Sequence, residues 1–168
     1  MPGPDIDRAP PLGYFITFTA YRDRLHGDVR GTVDRWHNTP GQTIIQRAPA
    51  RGAFEQDRTT HPPVVFDARL RHALDESIRE TCAAREWPLH ALHVRSNHVH
   101  LVLSAPDPPE RVMTSLKAWC TRRLRERRII ARDARLWARH GSTRYLWSSG
   151  DVEIACTYVT DGQGDPLS

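Results

Sequence analysis

Leu89 to Ser104 reads LHALHVRSNHVHLVLS, two short runs that alternate apolar with polar side chains on either side of Ser96 and Asn97. Alternation with period two predicts two strands, Leu89 to Arg95 and His98 to Ser104, and so short a connection predicts an antiparallel hairpin. The rest of the fold is read outward from it. Upstream, Leu70, Leu74, Ile78 and Cys82 recur every four residues behind Asp67, which predicts a capped helix ending near Trp87 and Pro88. Further upstream, Tyr14 to Ala20 (YFITFTA) sets Tyr14, Ile16 and Phe18 against Phe15, Thr17 and Thr19, the pattern of a first strand. Between these, residues 21–63 hold no sustained period and are expected to form a long loop or insertion.

Downstream, Asp107 precedes Pro108, Pro109 and Glu110, which predicts a cap with proline in the first turn of a second helix. That helix runs to about Arg128, with Val112, Leu116, Trp119, Cys120 and Leu124 as its apolar stripe. Arg144 to Ser148 is expected as the last strand, and Asp151 as the cap of a final helix stopping at Gly162. The order βαββαβ makes the chain α+β and ferredoxin-like, an antiparallel sheet with helices on one face, followed by a C-terminal helix. Such a fold hosts many activities and decides none of them.

Composition narrows the classes. The 168 residues fit one domain spanning 1–168. With 39% hydrophobic and 26% charged residues and no long apolar run, a soluble protein without a membrane partner is expected. Met1 to Pro11 carries no secretory pattern, so the cytoplasm is the expected compartment. Cys82, Cys120 and Cys156 lie far apart and form no C-x-x-C pair, which predicts buried thiols rather than a zinc site. The formal charge of +4 is unevenly spread: residues 107–145 hold eleven Lys or Arg against four Asp or Glu, and the remainder is net acidic. With Trp119 and Trp137 among them, these cations suit either a polyanion or a solvated helix face.

The chemistry sits in the hairpin. Side chains two apart on a strand share a face, so His98 and His100 project together while Val99, Leu101 and Leu103 face the core. Imidazoles about 7 Å apart along a strand can share one cation by leaning together. An H-x-H pair alone is weak evidence and is more often a pair of surface or structural histidines.

The N-H-V-H tetrapeptide followed by L-V-L resembles the histidine, hydrophobic, histidine signature of the single-tyrosine HUH transposases, which include the REP-associated tyrosine transposases. YFITFTAYRDRLHGD from Tyr14, WPLHALHVRSNHVHLVLSAP from Trp87, PPERVMTSLKAWCTRRL from Pro108, LWARHGSTRYLW from Leu136 and TYVTDGQGDP from Thr157 are similar to that family in the same order. Residues 38–63 match least. The resemblance implies Tyr158 as the nucleophile, whereas Tyr14, Tyr21 and Tyr145 do not match the family position. It implies Mg²⁺ or Mn²⁺ held by His98, His100 and Gln163, and a 5′-phosphotyrosine formed on single-stranded or hairpin DNA. Gln163 lies five positions after Tyr158 and beyond Gly162, so it reaches a shared metal only if the chain bends back there. Some relatives pair two copies so that one tyrosine serves its partner's metal and others act alone, which leaves a homodimer open.

The need for a metal follows from the phenol. With a pKa of about 10 it is only ~0.1% ionised at neutral pH, a deficit of roughly 4 kcal/mol that a divalent ion offsets in part by polarising the phosphate. Arg95 and Asn97 beside the histidines, and Lys117, Arg122 and Arg123 on the basic helix, are the expected DNA contacts. His90 and His93 are expected to serve the sheet. A histidine-triad nucleotide hydrolase also alternates histidines on a strand, but it requires a third where this chain has Val102. The other rival is a domesticated protein that binds a DNA or RNA hairpin without cutting it.

Overall fold

A computed structural model describes residues 9–22 and 63–161. Gln163 and residues 23–62 of the expected loop lie outside the described residues. Seven elements follow one another: β1 (Gly13–Ala20), α1 (Ala68–Ala84), β2 (Leu89–Val94), β3 (His98–Leu103), α2 (Pro109–Glu126), β4 (Trp137–Leu146) and α3 (Ser149–Thr160). The strands form one sheet in the order β2-β3-β1-β4, each neighbouring pair antiparallel. This is the ferredoxin-like α+β arrangement that the order of the elements predicts.

The alternation in β1 and β3 divides the molecule into two cores. Tyr14, Ile16, Phe18 and Ala20 of β1 join Val99, Leu101 and Leu103 of β3 beneath α1 and α2, whose Leu70, Leu74, Ile78, Leu116 and Leu124 are buried against them. The opposite face carries a smaller cluster in which Ala155 and Val159 of α3 cover Ala91, Val102 and Leu146. The C-terminal helix therefore lies on the face that holds the even-numbered side chains of β3. Both faces of β3 are covered, and five of its six residues are buried.

The helix ends differ from expectation in two places. Asp67 caps α1 as predicted, its carboxylate accepting from the Leu70 amide at 2.8 Å. At α2 the capping position is Pro108 with no side-chain cap, and Asp107 instead reaches Arg111 at 3.4 Å. Pro109, at the first helical position, lacks one of the amides that a helix start leaves unpaired. At α3 the cap is Ser148, and Asp151 is its reciprocal partner in a capping box, accepting from the Ser148 amide at 3.0 Å. The Ser148 side chain, followed by the amides of Trp147 and Ser148, holds the Asp151 carboxyl below its usual range.

The last strand is also longer than Arg144 to Ser148, beginning at Trp137. β4 is an edge strand whose side chains are mostly exposed or half-buried, so its sequence lacks the alternation of a two-sided strand. Gly141 permits it: a Cβ there would run into Met113 Sδ of α2 and lie 2.5 Å from the Thr17 carbonyl oxygen.

Candidate active site

His98 and His100 project from β3 onto the α3 face, as the i, i+2 spacing requires, and their ring centroids are 4.4 Å apart. That is well inside the strand repeat of about 7 Å, so the rings lean towards one another. His100 is buried, at 8% exposure, and its Nδ1 lies 2.7 Å from Thr17 Oγ1. Thr17 and His100 are cross-strand partners in the β1–β3 ladder. His98 Nδ1 lies 2.5 Å from Asn97 Oδ1. An amide oxygen only accepts, so the proton sits on His98 Nδ1 and the lone pair on Nε2. The Thr17 hydroxyl can either accept from His100 Nδ1 or donate to it, and in both cases it fixes the orientation of the ring. Imidazoles oriented through one ring nitrogen are a common feature of histidine metal sites.

Tyr158 comes from the other end of the chain. Ala155 and Val159 lie one turn apart and face the sheet, and this register carries Tyr158 alongside them. Its ring centroid is 5.9 Å from that of His100 and 5.7 Å from that of Phe15, both edge-on. Phe15 also lies 5.6 Å from His100, so it fills the angle between the imidazole and the phenol. Tyr158 remains 49% exposed. The other described tyrosines lie elsewhere: Tyr14 is in the large core, where burial, and then Tyr145, raise its phenol pKa, Tyr21 follows β1 with Arg135 over its ring, and Tyr145 stacks against Trp147.

Of the three expected metal ligands, His98 and His100 are brought together. Among the described residues no cluster of three or more His, Cys, Asp or Glu could hold a metal ion, and the expected third donor, Gln163, lies outside them. The two imidazoles suit a borderline divalent cation completed by oxygen ligands. Cys82 and Cys120 are buried, and burial pushes their thiols up to about 11 and about 12, which keeps them protonated.

The expected DNA contacts divide into two groups. Arg95 and Asn97 sit in the β2–β3 turn beside the histidines, where Asn97 also orients His98. Lys117, Arg122 and Arg123 lie on α2, across the sheet. Lys117 Nζ donates to the carbonyls of Ala138 at 2.9 Å and His140 at 3.1 Å, tying α2 to β4. Burial lowers its pKa to about 8. Arg122 bonds Glu126 at 2.8 Å and lies over Trp119, while Arg123 pairs with Glu80 of α1 at 3.0 Å. Trp137 packs on Phe18 and Phe66, and its indole nitrogen donates to the Lys117 carbonyl, so it serves the core rather than a stacking surface.

Three residues of the site were not singled out from the sequence: Phe15, Thr17 and the docking side of His93. His90 bonds Ser104 at 2.8 Å within the sheet, but His93 Nδ1 reaches the Val159 carbonyl of α3 at 3.1 Å. The period of β1 put Phe15 and Thr17 on one face; only the pairing of β1 with β3 puts that face beside the histidines.

No curated protein matches this chain. Two solved structures resemble it distantly. One is a candidate transposase from Deinococcus radiodurans, 14% identical, with 92% of each chain covered and a TM-score of 0.49. The other is a REP-associated tyrosine transposase bound to a REP hairpin, 11% identical, covering 95% of this chain and 70% of that one with a TM-score of 0.48. The family model described as "Transposase IS200 like" matches residues 59–160, which takes in the histidine hairpin, the basic helix and Tyr158. The chain belongs to the IS200-like transposase family.

Proposed function

We propose that this transposase-family chain is a metal-dependent endonuclease that cleaves and rejoins single-stranded or hairpin DNA through a 5′-phosphotyrosine on Tyr158. The observation that carries the reading is the convergence of His98, His100 and Tyr158, residues from a β-hairpin and from a helix about sixty positions on, at centroid separations of 4.4 and 5.9 Å. His98 and His100, with Gln163 as third donor, would hold Mg²⁺ or Mn²⁺. Bound there, the ion would polarise the scissile phosphate and neutralise the charge that builds on its oxygens.

The chain's own side chains supply the rest. Thr17 and Asn97 keep the imidazoles in one orientation. Phe15 limits where the phenol ring can lie, so Tyr158 is held near the reacting phosphate instead of sweeping solvent. The Tyr158 oxygen forms a bond to phosphorus as the bond to the 3′-oxygen breaks. The proton lost by the phenol is balanced by one taken up by the departing oxygen, leaving a free 3′-hydroxyl. Because the phosphoester is conserved on the enzyme, a second 3′-hydroxyl can reverse the step and join strands. Arg95 and Asn97 are the proposed phosphate contacts at the reacting end, and Lys117, Arg122 and Arg123 a more distant contribution to DNA binding.

The test is a covalent-adduct assay with single-stranded oligonucleotides covering the DNA that flanks the gene, in Mn²⁺, Mg²⁺ or chelator. A protein–DNA band that needs metal and vanishes in Tyr158→Phe is expected. Tight, salt-sensitive binding with no adduct on any strand would move the non-cutting hairpin binder ahead.

A further inference from the structure

α3 is held on the sheet by little apolar surface. Ala155 and Val159 are its only buried residues, with Val152 and Cys156 partly buried beside them. Its N-terminal end has the Ser148–Asp151 capping box. Its C-terminal end, where Tyr158 sits, has carbonyls that no later helical amide can serve. The Asp161 amide turns back to Thr157 and Tyr158. The Val159 carbonyl is met from outside the helix, by His93 Nδ1 at 3.1 Å. A carbonyl only accepts, so His93 carries its proton on Nδ1 and donates it.

His93 is the cross-strand partner of His100 in the β2–β3 ladder. Directly paired residues project to the same side of a sheet, which puts His93 on the Tyr158 face. The strand that pairs with the histidine strand thus reaches over and grips the tyrosine helix one residue past the phenol. We propose that His93 is a positioning residue for Tyr158: by donating to the Val159 carbonyl it holds the last turn of α3 on the sheet and fixes the phenol beside His100. The inference deepens the proposed function and rests on Tyr158 as its nucleophile. His93 touches no reacting atom in this role, so its loss is expected in the rate of cutting and not in affinity for DNA.

His93→Phe keeps a ring without the donor, and His93→Asn keeps a donor near the position of Nδ1. With the full chain, Mn²⁺ and a flanking-DNA oligonucleotide that the wild type cuts, His93→Phe is expected to lower kcat about tenfold, a hydrogen bond's worth of positioning, with KM unchanged. Asn should restore most of the rate. Hydrogen exchange supplies the second reading: amides of the last turn of α3 should exchange faster in His93→Phe and return towards wild type in His93→Asn. Wild-type kcat in His93→Phe, a rise in KM in place of the fall in kcat, or unchanged exchange would each overturn the proposal. A wild-type protein that forms no adduct on any strand would remove the nucleophile and the catalytic half of this inference, while faster exchange in His93→Phe would still identify the anchor.

Discussion

His100 is the residue on which the site turns, since Thr17, Phe15, His98 and Tyr158 all meet it. Removing its steadying partner is expected to act on the proposed metal binding before it acts on the fold. Thr17→Val should weaken Mn²⁺ binding roughly 10- to 100-fold, while Thr17→Ser, which keeps the hydroxyl, should stay near wild type. A Mn²⁺ titration followed by calorimetry separates the two, and equal affinities in all three proteins would show that the Thr17 contact does not support coordination. The residues that could be read from the sequence are those whose relation is local. His98 and His100 share a face because they are two apart, whatever the rest of the chain does. Thr17 is 83 positions from His100, and Phe15 farther still, so their part in the site appears only once the register Thr17↔His100 is known.

The elements show the same limit at a larger size. α1 and β3 were legible because their period is unmistakable and their core face is fully buried. β4 was read only in its final part, because an edge strand with mostly solvated side chains has no apolar rhythm and takes its register from β1. Its contact with α2 depends on the missing side chain of Gly141. Gly141→Ala is expected to destabilise the protein by about 1–3 kcal/mol, the usual cost of overpacking, through Met113 and the Thr17 backbone. Urea unfolding measures this, and an unchanged midpoint would mean that α2 and β4 part easily. At α3, Ser148→Ala removes one half of the capping box and should cost about 1 kcal/mol of helix stability. Amide exchange in the first turn of α3 should rise with it, and exchange as slow as in the wild type would show that Asp151 alone suffices.

Across the whole molecule, stability and chemistry are drawn from different layers. Lys117 belongs to the first of these. Its folded pKa, lowered to about 8 by burial, lies below the ordinary lysine value of 10.5. Between these values the unfolded chain binds more protons than the folded one, so this residue adds stability as pH rises through that window and none of that gain below it. Cys82 and Cys120 act in the opposite sense above pH 9, because burial keeps them protonated in the folded state. The lysine contribution is isolated as the difference between wild type and Lys117→Met: the gap between their urea midpoints should shift in favour of the wild type from pH 8 to 10. A gap that stays constant would mean that the amine is hydrated in the folded protein. The division of labour is plainest in β3, where Val99, Leu101 and Leu103 serve the large core and His98 and His100 serve the site. Leu101→Ala should cost about 2–5 kcal/mol of stability in urea unfolding, whereas His98→Ala should change it by less than about 1 kcal/mol. Adjacent codons in this one strand are therefore under unrelated constraints. If the chain cuts DNA as proposed, a lineage released from selection for cutting would lose its histidines by ordinary mutational drift long before its leucines, and would leave behind a folded, still basic protein with no chemistry.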